Sequence, residues 1–110
     1  MDWETYKKII EDRLSACKEL LVRKANGYSR NGDPFHNFKV AGEILNTTPE
    51  KTLLGMWIKH VISIIDIVND IPELPTDEIL AEKISDTINY MLILEAMVLD
   101  RKSIKERKEE

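Results

Sequence analysis

The amino-acid sequence predicts an all-α fold, a compact bundle of about four helices forming one domain over 1–110. Three observations carry that prediction. Apolar residues recur at steps of three and four through most of the chain, the spacing of one helix face. Gly and Pro number four each, too few for a β protein built on tight turns. Each apolar window opens on a residue suited to capping a helix N-terminus. Hydrophobic residues at 43% against charged residues at 33% supply material for a core and argue against wholesale disorder.

The first helix is expected over 3–24, with Trp3, Tyr6, Ile10, Leu14, Cys17 and Leu21 as its buried stripe. Asp2 is its expected N-cap, and Asn26-Gly27 its stop signal. A loop follows. Asp33-Pro34 then resembles a cap with Pro at the first helical position, opening a short helix over about 34–45. Phe35, Phe38, Ala41, Ile44 and Leu45 form its expected buried face.

The third helix opens in Thr47-Thr48-Pro49-Glu50 and runs to Asn69 or Asp70. Thr47 has capping-box spacing to Glu50, whereas Thr48 suits Pro49 at the first position. This helix is apolar on most sides, from Leu53 to Val68, and a short chain cannot surround it alone. Self-association through 49–70 is therefore expected. After Ile71-Pro72-Glu73-Leu74-Pro75, Thr76 caps a fourth helix with Asp77 and Glu78 in its first turn. Its charged tail, about 100–110, reads as a solvated or fraying end.

Composition also bounds function. The start Met1-Asp2-Trp3-Glu4 lacks a signal-peptide pattern, and the apolar stretches look short of the ~20 residues of a membrane span, so a cytoplasmic protein is expected. Cys17, the only cysteine, permits neither an internal disulfide nor a Cys-rich zinc site. The net charge of −4 conceals segregation. Residues 22–39 carry +3, from Arg23, Lys24, Arg30 and Lys39 against Asp33. Residues 59–95 carry −6. The basic segment is too short to neutralise the phosphates of a duplex nucleic acid.

Polar residues inside the apolar helices are the informative ones. Lys59, Ser63, Asp66 and Asp70 form one stripe of the third helix; Glu82, Asp86 and Asn89 form one of the fourth. Either the stripes are solvent faces, or antiparallel pairing brings Asp66 and Asp70 opposite Glu82 and Asp86. Four converging carboxylates require a cation, and Mg²⁺ suits carboxylate oxygen. His36 and His60 lack zinc-site spacing.

The run from Lys59 to Asp70, followed by Glu82-Lys83-Ile84-Ser85-Asp86, resembles the all-α nucleotide pyrophosphatases of the MazG type. The upstream Gly32-Asp33-Pro34-Phe35-His36-Asn37-Phe38, with Tyr28 before it, is similar to small phage-encoded MazG-like proteins associated with nucleotide metabolism. The resemblance covers about 22–95. It implies an oligomeric helical bundle that binds nucleoside triphosphates and hydrolyses them to monophosphate and pyrophosphate with Mg²⁺. The sequence departs from that pattern: Lys83 stands where the family has a second Glu, and the first motif reads Asp66-x-x-Asn69. Fewer carboxylates weaken a Mg²⁺ cage, which favours binding over turnover. The expected nucleotide-binding residues are Lys24, Arg30, Lys39 and Lys59 for phosphate, and Tyr28 and Asn37 for base or ribose. The expected metal ligands, if metal is held, are Asp66, Asp70, Glu82 and Asp86. A phage-type binder implies sequestration of a host immune signalling nucleotide, linear or cyclic. The alternatives are a Mg²⁺-dependent pyrophosphatase and a non-catalytic structural oligomer.

Overall fold

The computed structural model describes residues 1–28, 30 and 32–109, with the side chains of 26–28 outside the description. The chain is all-helical, with no strand among the described residues. Helix α1 spans Trp3–Tyr28, α2 His36–Ile44, α3 Pro49–Asp70 and α4 Asp77–Glu109. Helix α4 packs against both α1 and α3, and α2 packs against α3.

Local chemistry sets the helix starts. The Asp2 carboxylate accepts from the Thr5 N–H at 2.7 Å, satisfying a donor that the first turn of α1 leaves free. Thr48, not Thr47, caps α3: its hydroxyl accepts from Lys51 N–H at 3.2 Å, with Pro49 at the first helical position. Thr76 caps α4 in the same way through Ile79 N–H. Glu50 is not used in a capping box. Its carboxylate takes two hydrogen bonds from Arg101, at 2.6 and 2.9 Å, and ties the start of α3 to the distal part of α4. The Arg101 guanidinium holds the Glu50 carboxyl below its ordinary value.

Three expectations are corrected. Helix α1 passes Asn26-Gly27 and ends at Tyr28. Helix α2 begins at His36, because Asp33 forms a turn rather than a cap. One Asp33 oxygen accepts from Phe35 N–H at 2.9 Å, and the other meets Lys39 Nζ at 2.7 Å. Ile44 and Leu45 are exposed instead of buried, since α2 turns its Gly42 side to α3. The tail of α4 is the solvated end the sequence predicts, exposed over 101–109, and it stays regular helix to Glu109.

The end of α2 explains Gly42. Thr47 N–H donates to Gly42 O at 2.8 Å and Asn46 N–H to Glu43 O at 3.2 Å, with Asn46 at φ 55. These paired bonds, closed by a left-handed residue, satisfy the last carbonyls and reverse the chain into α3. The reversed backbone lies so close that a Cβ on Gly42 would sit 3.0 Å from Thr47 O.

Few side chains are fully covered. Cys17, Leu53 and Met97 are the buried hydrophobic residues among those described. In the expected stripe of α1, Cys17 is buried and Leu21 half-buried, but Trp3, Tyr6, Ile10 and Leu14 lie open, Trp3 at 67% exposure. On α3, Leu54, Ile58, Ile62, Ile65 and Val68 are likewise exposed. Helix α3 is also long and apolar enough to cross a membrane by length and composition, with a mean hydropathy of 1.3 in its apolar window. That corrects the expectation of short apolar stretches: Lys59 and Asp66 are the only charges between Lys51 and Asp70. The core helix of a water-soluble protein passes the same test.

Candidate functional site

A cavity of about 460 Å³ opens where α1, the start of α2 and the middle of α4 meet. Its polar lining is Lys24 from α1, Asn37 from α2, and Asp86 and Asn89 from α4. Phe35, Phe38 and Tyr90 supply aromatic walls, and Met56 of α3 contributes to the floor. The helical period explains the convergence on α4. Asp86, Asn89 and Ile93 fall at i, i+3 and i+7, one face of that helix, and all three line the cavity.

The aromatic walls are joined to a polar pair. Phe38 meets Tyr90 edge to face, with ring centroids 6.2 Å apart. His60 of α3 lies 4.9 Å from the Tyr90 ring. On its other side, His60 Nδ1 is 3.8 Å from an Asp86 oxygen, longer than a hydrogen bond. Asp86 and His60 are both largely covered, so the Asp86 carboxylate is an acceptor beside an apolar cavity.

Asn89 is the unusual residue of the wall. It is 6% exposed, and its Oδ1 is buried with no hydrogen-bond partner among the described residues. An unpaired buried amide oxygen costs about 1–3 kcal/mol. Such a group is retained against that cost where something else completes its bonding. Trp57 Nε1 on α3 is likewise buried without a partner among the described residues, whereas Arg13 Nη1 donates to the buried Ser85 Oγ at 2.9 Å, joining α1 to α4.

The expected site residues divide into two groups. Lys24, Asn37 and Asp86 line the cavity together. Arg30 and Lys39 lie outside the lining, near its α2 edge: Arg30 pairs by its backbone with Asp33, and Lys39 is held by the Asp33 carboxylate, 5.9 Å from the Phe35 ring centroid. Lys39 and the Phe35 N–H together hold the Asp33 carboxyl below its ordinary value. The Tyr28 side chain lies outside the described residues. Lys59 is exposed on α3 and does not line the cavity.

The expected metal ligands do not form a cage. Asp66, Asp70 and Glu82 are exposed, whereas Asp86 turns to the cavity. Among the described residues, no three His, Cys, Asp or Glu side chains gather as a metal would require. Asp66, Asp70 and Glu82 therefore do not gather with Asp86 into a four-carboxylate cage.

Sequence reasoning missed the burial of Asn89, and missed Tyr90 as a wall of the cavity with His60 behind it. The available signal was a polar residue at i+3 from Asp86 within the apolar run Ile84–Leu94. Protein-family models, curated proteins and solved structures gave no match to this chain.

Proposed function

We propose that this protein binds a phosphorylated nucleotide in the cavity between α1, α2 and α4, without hydrolysing it. The observation that carries this reading is the lining itself. Aromatic rings beside unspent amide and carboxylate groups suit a base, which needs a π-face to rest on and polar partners for its edge. A volume of about 460 Å³ falls in the range of small-molecule sites. Lys24 adds a cation at the same cavity, and Arg30 lies exposed in the neighbouring loop, where phosphates leaving the cavity would meet them.

Binding without turnover is favoured by the dispersal of Asp66, Asp70 and Glu82 away from Asp86. The resemblance to MazG-type proteins agrees with a nucleotide ligand, and a phage-type origin would make capture of a host signalling nucleotide the biological role. Mass spectrometry of small molecules released from the purified protein tests the reading. A nucleotide is expected in stoichiometric amounts. Pyrophosphate release from added nucleoside triphosphates and Mg²⁺ would replace binding with hydrolysis. Absence of any ligand, together with no thermal shift across a panel of linear and cyclic nucleotides, would reject the reading.

A further inference from the structure

The chain exposes more surface than a folded protein of its size. Its accessible area is 8503 Å², against about 6,300 Å² for a compact monomer of 12.8 kDa. Its radius of gyration is 16.8 Å, where about 13 Å is typical for this length. Part of the excess is the exposed end of the 33-residue α4, and part comes from uncovered helix faces. Helices α1 and α3 both pack on α4, leaving apolar stripes of α1 and α3 without a covering layer. A helix layer of this kind is stable only when a second layer covers it.

We propose that a second copy of this chain covers the exposed face of α3, with the two α3 helices antiparallel about a two-fold axis near Ile62 and Ser63. Area identifies the occupant. The excess of about 2,200 Å² per chain, shared among α1, α3 and the exposed end of α4, leaves room for the roughly 800 Å² per partner that a stable interface buries. Charge fixes the orientation. Lys59 and Asp66 lie on one edge of the stripe, both exposed, and neither has an ion-pair partner among the described residues. They are seven residues apart, so a two-fold axis midway between them sets Lys59 of each copy beside Asp66 of the other. Parallel pairing about a two-fold would instead put the two copies of this edge on opposite sides of the seam and leave each charge against the partner's apolar edge.

Gly55 lies on that same edge, four residues before Lys59. A Cβ there would meet nothing within 4 Å, so no contact inside the chain demands glycine. Glycine within a helix costs about 1 kcal/mol relative to alanine. Close approach of a partner helix supplies the missing reason. The pairing uses the face of α3 that bears Ile58 and Ile62, whereas the nucleotide cavity meets α3 at Met56.

Light scattering coupled to size exclusion, at micromolar concentration and without detergent, tests the pairing. A particle of twice the 12.8 kDa chain mass is expected. Lys59→Glu and Asp66→Lys each bring like charges together twice at the two-fold, and should weaken the dimer about five- to tenfold. The double variant K59E/D66K should restore it, which a merely misfolded variant would not do. A 12.8 kDa particle, single reversals without effect, failure of the double variant to recover, or flotation of the protein with phosphatidylcholine vesicles would each overturn the proposal.

Discussion

The cavity wall around Asn89 and the outer face of α3 are opposite kinds of incompleteness. In the wall, a polar amide is buried among apolar and aromatic side chains without a partner for its oxygen. On α3, Ile58, Ile62 and Ile65 face outward with about half of each surface exposed. The first calls for a small molecule that hydrogen-bonds. The second calls for a large apolar surface. The comparison separates two properties that net charge and composition blur: what the protein binds, and what completes its fold.

The largest expected effect distinguishes the two faces of α3. Leu53 is fully buried on the inner face, so Leu53→Ala should cost about 3 kcal/mol at any protein concentration. Ile58→Ala on the outer face should lower the melting temperature by an amount that grows as protein concentration rises through the dissociation constant of the pair and vanishes below it, because the loss falls on association. Thermal denaturation over a hundredfold concentration range checks both. A concentration-independent loss at Ile58 would break the contrast.

The cavity should respond in the opposite sense. Lys24→Ala should weaken nucleotide binding about tenfold while leaving the melting temperature of the free protein unchanged, as read by calorimetry and thermal denaturation. Asn89→Leu removes an unpaired buried acceptor while keeping volume, and should stabilise the free protein by about 1 kcal/mol. Destabilisation by this substitution would mean that the amide is already satisfied.

The smallest effect concerns the clamp between Glu50 and Arg101, which belongs to neither region. The Arg101 hydrogen bonds hold the Glu50 carboxyl below its ordinary value. A depressed carboxyl contributes stability above its unfolded pKa and loses that contribution as pH falls through its folded pKa. Glu50→Gln should therefore lower the melting temperature near neutral pH, by up to about 1 kcal/mol in stability. The difference from the unmodified protein should disappear in strong acid.

The local features were legible in the sequence and the long-range ones only in part. Asp2 and Thr76 announce their helices because a cap acts on donors two or three residues away. Asp33 misled, because an Asp side chain reaching the N–H two residues on builds a turn, while one reaching slightly further builds a cap. Trp3, Tyr6, Ile44 and Leu45 were placed inside by periodicity, which finds an apolar face but not whether the same chain covers it. Lys24, Asn37 and Asp86 were singled out for three separate reasons, and the packing of α1, α2 and α4 brings them to one cavity. Lys59 lies exposed on α3, outside the lining of that cavity. Asn89 was seen only as part of a polar stripe, since nothing in a sequence distinguishes a solvated amide from a buried one.

The central claim is that the cavity is a nucleotide site whose buried amide is retained for its ligand. Isothermal titration of the nucleotide found on the purified protein, against the stripped protein and its Asn89→Leu variant, tests it most directly. The account predicts saturable binding to the unmodified protein, and binding at least tenfold weaker to a variant that melts at a higher temperature. Equal affinity for both proteins, or no saturable binding to the unmodified one, would contradict it.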